Sequence, residues 1–137
     1  MIDISVLTGE RLTYISRAAD MLVLSFGDDI CRNYRGEWLS RYALHCQCAW
    51  RITDGHGKIV LARVDIFSPP EGEDYTLDFD WDVRGNNAFD RKSGEILSGG
   101  EVTVTSARLI NGCDIELELS NGLRFESFAD SSIEEHW

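Results

Sequence analysis

Apolar and polar residues alternate along several segments of the chain, a pattern typical of strands that bury one face. The longest alternating segment is residues 43–53, and a second is residues 59–67, with a turn-like composition at residues 54–58 between them. The apolar side of the first segment consists of Leu44, Cys46, Cys48, Trp50 and Ile52. Pairing Thr53 with Ile59 keeps apolar residues opposite one another across a five-residue or bulged loop. The pairs that this register sets on the apolar face are Trp50 with Ala62 and Cys48 with Val64.

A second hairpin is predicted near the end of the chain. Residues 114–119 alternate between acidic and apolar side chains, and Ser-Asn-Gly follows. A three-residue loop with Gly122 in the left-handed conformation pairs Leu119 with Leu123. The further pairs of this register are Leu117 with Phe125 and Glu118 with Arg124. A two-residue Asn-Gly turn would put Leu119 opposite a charged residue, so the pattern excludes it.

The remaining elements complete an α+β fold. Further strands are predicted at residues 12–18, 21–26 and 102–110, and residues 87–97 predict a helix that Asn87 caps. We therefore expect a mainly antiparallel β-sheet of about seven or eight hairpin-connected strands with one or two short helices. These elements form a single β-rich domain covering the whole chain.

Length and cysteine content indicate how the domain is stabilised. A chain of 137 residues can bury about two-thirds of its surface, so neither disulfides nor a metal ion is needed for folding. Residues 1–5 lack a basic region and an apolar run, so no signal peptide is predicted, and no segment is long enough to span a bilayer. We therefore expect a cytoplasmic protein whose thiols are reduced. The thiols are Cys31, Cys46, Cys48 and Cys113.

Charge excludes two classes of partner. The chain holds 24 acidic and 13 basic residues, and its net charge is -11. Nucleic acids and anionic membranes require a basic surface, so neither is an expected partner.

The most acidic segment is residues 71–82. If it is extended, Asp78, Asp80 and Asp82 share one face. Three interpretations remain open: a calcium site, a strand edge whose charges block edge-to-edge pairing, and a negative interaction surface with aromatic anchors. The spacing does not match an EF-hand, because Val83 stands where that loop needs glycine. The predicted partner-binding residues are Asp74, Tyr75, Asp78, Asp80, Trp81 and Asp82.

Two other clusters carry possible chemistry. The C-x-C of Cys46 and Cys48 would need two more ligands for zinc, from Cys31, Cys113 or His45, and buried cysteines are more often small apolar residues. The other face of the first hairpin holds His45, Arg51 and Asp65, which suit acid–base chemistry or a solvated sheet face. We predict no catalytic residue, metal ion or cofactor from these patterns.

The last residue is an aromatic one, Trp137. Burying it would offset the ordering of the terminus, and Ile133 would share its face of a short helix.

Three separated parts of the chain resemble a group of small uncharacterised bacterial proteins. The parts are YALHCQCAWR at residues 42–51, DFDW at 78–81 with NNAFD at 86–90, and NGLRF at 121–125 with FADSS at 128–132 and EEHW at 134–137. The last part also resembles immunity proteins of polymorphic toxin systems, such as those directed against wall-associated contact toxins. The resemblance implies a small acidic β-rich cytosolic protein, and it implies no site residues.

Charge, chemistry and resemblance together favour a non-catalytic binding protein. The leading hypothesis is an immunity-type inhibitor that binds and occludes a basic toxin or effector, because opposite charge accelerates association. The alternatives are a metal-dependent or acid–base enzyme that uses His45, Arg51 and Asp65 or the aspartates, and a structural homo-oligomer. The oligomeric state is not predicted.

Overall fold

The computed structural model describes residues 3–134 and residue 137. Within this part the chain forms eight strands in two antiparallel sheets, one α-helix and two 3-10 helices. The strands are β1 (Leu12–Ala18), β2 (Met21–Arg32), β3 (Trp38–Cys46), β4 (Ala49–Thr53), β5 (Ile59–Ala62), β6 (Val104–Ile110), β7 (Asp114–Leu119) and β8 (Arg124–Phe128). The helix α1 is Ala88–Leu97, and the 3-10 helices are Ile4–Leu7 and Arg63–Phe67. The predicted α+β, mainly antiparallel fold class is confirmed.

The alternation of apolar and polar residues did not predict that the strands form two separate sheets. One sheet has the order β1-β2-β3 and the other the order β5-β4-β8-β7-β6. The single strand predicted at residues 43–53 is wrong, because the chain bends at Gln47 and Cys48 and passes from the first sheet into the second. The five residues predicted on the apolar side are nevertheless all buried. Both sheets turn that side toward the same core, so the burial pattern continues across the bend.

The first hairpin has the predicted loop and a different register beyond it. Thr53 pairs with Ile59, as predicted, and Asp54 closes the five-residue loop by accepting hydrogen bonds from two backbone N–H groups. A bulge at Val60 then shifts the pairing, so Ala62 lies opposite Arg51 rather than Trp50. β5 ends at Ala62, and the predicted pairing of Val64 with Cys48 is wrong because Val64 lies exposed in a 3-10 helix.

The C-terminal hairpin is confirmed in detail. Leu119 N–H donates to the Leu123 carbonyl at 2.9 Å, and Gly122 adopts φ +86°. Leu117 pairs with Phe125, and Glu118 pairs with Arg124. The turn composition and the alternation both specify this register, which explains why the sequence predicts it correctly.

Helix α1 closes the core against the sheets. Asn87 caps it as predicted, since its side chain accepts a hydrogen bond from Asp90 N–H at 2.7 Å. The Trp50 ring lies 5.9 Å from Phe89 of the helix and 6.3 Å from Phe125 of β8. Within the described residues, no helix is long and apolar enough to cross a membrane.

The C-terminal tryptophan is docked. Trp137 packs against the core and its Nε1 donates to the Cys113 carbonyl at 2.7 Å. Ile133 is 90 % exposed, so it does not share that packing. The predicted short helix includes residues 135–136, which lie outside the described residues.

Candidate partner-binding surface

Residues 71–82, here called the acidic loop, connect the 3-10 helix Arg63–Phe67 to the residues before α1. The loop contains turns and no strand, so the predicted charged strand edge is wrong. Asp78 accepts a hydrogen bond from the Thr76 hydroxyl at 2.7 Å, whereas Asp80 accepts one from Asp82 N–H at 3.0 Å. These local turns replace the single shared face that an extended segment would give the aspartates.

Arg17 of β1 fixes the end of the acidic loop. Its side chain is 2 % exposed and holds Asp90 through two bonds, Nε to Oδ1 at 2.8 Å and Nη2 to Oδ2 at 2.9 Å. Nη1 donates to the Asp82 carboxylate at 3.0 Å, and Nη2 reaches the carbonyl oxygens of Trp81 and Asp82. The hydrogen bond from Arg17 lowers the pKa of Asp90, and the same bond raises the pKa of Arg17. A buried guanidinium therefore ties the loop to both β1 and α1.

Trp81 is turned partly into the body of the protein. It is half-buried and packs edge-on against Phe67 at 4.9 Å, while the Arg17 guanidinium lies 5.8 Å from its ring centroid. The Asn87 side chain donates to the Trp81 carbonyl at 2.9 Å. These contacts give Trp81 and Asp82 a role in holding the loop in place.

The six carboxylates of the acidic loop fall into two groups. Three are paired with cations outside the loop: Glu71 with Lys92, Glu73 with Arg91 and Asp82 with Arg17. Asp74, Asp78 and Asp80 are exposed and have no ion-pair partner among the described residues. The Thr76 hydroxyl lowers the pKa of Asp78, which keeps that carboxylate charged. The unpaired negative charge of the loop therefore lies on three aspartates.

An exposed apolar group accompanies these charges. Tyr75 is 69 % exposed and its ring packs edge-on against Phe79 at 5.6 Å, which restrains the phenol without burying it. Leu77 is fully exposed. The acidic loop thus presents apolar side chains and uncompensated carboxylates together.

Carboxylates on the five-stranded sheet are compensated instead. A row of paired positions crosses four strands, from Arg108 through Glu116 and Glu126 to Arg51. Each glutamate in the row is bonded to the arginine beside it, Glu116 at 2.9 Å and Glu126 at 3.2 Å. Glu118 lies 3.3 Å from Arg124, and this exposed pair was predicted. These glutamates form ion pairs on the sheet, in contrast to the three aspartates of the acidic loop.

A second exposed surface was missed by the sequence. β2 runs to Arg32 rather than Phe26, and with β3 it forms a hairpin at residues 27–42, here called the aromatic hairpin. Its large exposed apolar side chains are Ile30, Tyr34, Trp38, Leu39 and Tyr42. The Arg32 guanidinium lies 4.5 Å from the Trp38 ring centroid. The available signal was the alternation of aromatic and arginine residues around a polar turn, a composition typical of protein interfaces.

The turn of the aromatic hairpin is rigidly built. The Asn33 carboxamide oxygen accepts hydrogen bonds from Arg35 N–H at 2.9 Å and Glu37 N–H at 3.0 Å. Gly36 adopts φ +80°, a conformation that other residues rarely take. The surface is therefore formed before any partner binds.

The acid–base candidates do not assemble. His45 lies in the first sheet, Arg51 in the second pairs with Glu126, and the Asp65 carboxylate accepts a hydrogen bond from Ala62 N–H at 2.9 Å. No hydrogen bond or ion pair joins any two of the three among the described residues.

The cysteine candidates divide by burial. Cys46 and Cys48 are buried together, whereas Cys31 and Cys113 are exposed. No group of three or more metal-ligating side chains is found among residues 3–134 and 137.

Comparison of the chain with protein-family models, with curated proteins and with solved structures finds no match. The resemblance to immunity proteins therefore stays a prediction from the sequence.

Proposed function

We propose that the chain is a non-catalytic binding protein, an immunity-type inhibitor of the bacterial cytoplasm that binds and occludes a basic toxin or effector. The observation that carries the proposal is the acidic loop, where Asp74, Asp78 and Asp80 are exposed and have no ion-pair partner among the described residues, and where Tyr75 is exposed as well. A concentrated patch of one charge steers an oppositely charged partner and orients the encounter.

Anchoring of the loop supports a preformed surface. Arg17 holds the C-terminal end of the loop, and Arg91 and Lys92 of α1 pair with carboxylates at its beginning. Binding then requires less ordering of the chain, so more of the contact energy is retained as affinity.

The aromatic hairpin provides the second contact surface of this proposal. Tryptophan, tyrosine and arginine dominate the energetics of protein interfaces. In the aromatic hairpin Arg32 lies against the Trp38 ring, and Tyr34 is exposed in the adjoining turn. The acidic loop would govern the rate of association, and the aromatic hairpin would govern the lifetime of the complex.

Under this proposal, a gene neighbouring the one for this chain encodes a basic effector domain, and the test expresses that domain from an inducible promoter in a bacterial host. Co-expression of the chain should restore growth, and the two purified proteins should form a stoichiometric complex. Failure of both results with a demonstrably toxic domain would overturn the proposal.

A charge-matched pair of variants locates the interface. Neutralising the loop with D74N/D78N/D80N should lower the association rate roughly three- to ten-fold at low salt and flatten its salt dependence. The control D3N/E95Q/E101Q removes the same number of charges from exposed positions outside both proposed surfaces and should leave most of the rate intact. Equal effects of the two variants would assign the steering to overall charge and remove the acidic loop from the interface.

A separate variant tests the lifetime of the complex. Trp38→Ala should accelerate dissociation with little change in the association rate, because an exposed anchor acts after the encounter. An unchanged dissociation rate would remove the aromatic hairpin from the interface.

A further inference from the structure

The bend between the two sheets brings two thiols together. Cys46 is the last residue of β3, and Cys48 directly precedes β4. In a flat strand, residues two apart are separated by about 6.6 Å along the chain. Here the two Sγ atoms are 3.4 Å apart, and both residues are buried, at 1 % and 0 % exposure.

The surroundings of the pair favour a thiolate on one sulfur. The hydrogen bond from Cys46 lowers the pKa of Cys48 to about 7, and the Phe128 backbone N–H acts in the same direction. The hydrogen bond with Cys48, and then burial, raise the pKa of Cys46, so Cys46 keeps the proton. The positive charge of Arg63 lowers the pKa of Cys46 and so opposes these two effects in part. The buried Nε of Arg63 has no hydrogen-bond partner among the described residues.

We propose that Cys46 and Cys48 are a dithiol site that a hydroperoxide oxidises to an intramolecular disulfide. The Cys48 thiolate attacks one peroxide oxygen, the O–O bond breaks, and hydroxide leaves, so that Cys48 becomes a sulfenic acid. The Cys46 sulfur then attacks the Cys48 sulfur, the S–O bond breaks, and water leaves with the proton of Cys46. The two thiols lose two electrons and two protons in total, and hydrogen peroxide becomes two molecules of water.

The geometry suits this chemistry. An S–S bond is about 2.05 Å long, so the sulfur atoms must approach by little more than about 1 Å. Gln47, between them, is exposed and belongs to neither β-ladder, so a local opening at Gln47 breaks no strand pairing of that residue. Cys46 itself pairs with Leu22 at the end of its ladder. Hydrogen peroxide is small enough to enter through such a local opening.

The exposed cysteines are the natural control. Cys113 lies near the Ile110 carbonyl, and Cys31 is in the aromatic hairpin; neither has a thiol partner among the described residues. Replacing both by serine removes intermolecular disulfides and leaves the buried pair as the only thiols. Because both positions are exposed, we expect this C31S/C113S protein to fold.

The experiment treats C31S/C113S with a small excess of hydrogen peroxide and measures the intact mass. We expect a monomer lighter by about 2 Da, which resists alkylation after denaturation and regains two alkylatable thiols with dithiothreitol. Adding Cys46→Ala should halt oxidation at sulfenic or sulfinic acid on Cys48, with a gain of about 16 or 32 Da.

Two results would overturn the proposal. One is the persistence of two free thiols after peroxide has fully oxidised a model thiol under the same conditions. The other is over-oxidation of Cys48 beside a free Cys46, which would show that the second sulfur does not resolve the first. Both results are measured on the C31S/C113S protein, which keeps Cys46 and Cys48, so they do not depend on whether the Cys46→Ala protein folds.

Discussion

Arg17 links three parts of the chain through a single side chain. Its guanidinium bonds Asp90 at the start of α1, Asp82 in the acidic loop and the carbonyl of Ala19 in the turn after β1. A buried cation is stable only when nearly all of its donors are bonded, and this one meets that condition. The candidate surface therefore depends on a residue that does not itself reach the surface.

Replacing Arg17 with methionine should destabilise the protein by about 3–5 kcal/mol, because the Asp90 carboxylate, whose side chain is 10 % exposed, loses its buried partner. Amide exchange in residues 78–86 should increase more than in β7. The matched control is Arg91→Met, which removes an exposed pair with Glu73 and should cost less than about 1 kcal/mol. Urea denaturation gives the free energy of unfolding of both variants. Similar losses of stability in the two variants would show that Arg17 does not anchor the acidic loop.

The Asp90 carboxylate gives the protein an acid-sensitive element. Its pKa is lowered in the folded state, so its contribution to stability is complete above the unfolded value of about 3.9 and disappears as pH falls through the folded value. The Asp90→Asn variant should be less stable than the wild type at pH 7, and the difference should shrink as pH falls from 4.5 to 2.5. The control Asp74→Asn, which breaks no ion pair among the described residues, should cause no loss of stability at pH 7. A constant difference across that range would contradict the linkage.

At the scale of elements, the sequence predicts what is local and misses what depends on distant partners. The C-terminal hairpin follows from its turn residues and its alternation, and α1 follows from the Asn87 cap. The passage of the chain from the first sheet to the second at Gln47 does not follow from the sequence. Alternation shows which residues are buried, but it does not show with which sheet a strand pairs. The acidic loop likewise alternates as a strand would, yet its position is set by Arg17, sixty-five residues from Asp82.

The aromatic hairpin was missed for a related reason. Alternation in β2 stops at Gly27, whose φ of +80° marks an irregularity in the ladder, and the residues beyond it are exposed on both faces. A pattern of buried positions cannot detect a hairpin that buries little. For the same reason, the sequence predicted the exposed aspartates of the candidate site but not the contacts that hold their loop.

Gly27→Ala should destabilise the protein by about 1–2 kcal/mol. The left-handed backbone penalises a side chain, and an added Cβ would lie 2.9 Å from Glu10 and 3.0 Å from the Cβ of Arg41. Gly94→Ala is the opposite control: it lies in α1 with no atom within 4 Å of the added Cβ, and it should stabilise by about 0.5–1 kcal/mol. The melting temperatures of both variants are compared with that of the wild type. A Gly27→Ala protein that melts at the wild-type temperature would show that position 27 tolerates a residue with a side chain.

At the scale of the whole molecule, the net charge of -11 is unevenly compensated. Arginines neutralise the glutamates of the five-stranded sheet, whereas three aspartates of the acidic loop have no ion-pair partner in the described part of the chain. Uncompensated like charges repel one another in the folded state, and salt screens that repulsion. The same arrangement that would attract a basic partner should therefore reduce the stability of the free protein.

We therefore expect salt to stabilise the protein. The melting temperature of the wild type should rise by a few degrees between 20 and 500 mM NaCl, since the Debye length falls from about 20 Å to below about 5 Å. The rise should be smallest in D74N/D78N/D80N and intermediate in D3N/E95Q/E101Q, because the first variant removes crowded charges and the second removes dispersed ones. At 20 mM NaCl the loop variant should also melt above the wild type. A wild-type melting temperature that falls with salt would instead show that attractive ion pairs outweigh the repulsion, and the acidic loop would then carry no stability cost for its proposed role in steering.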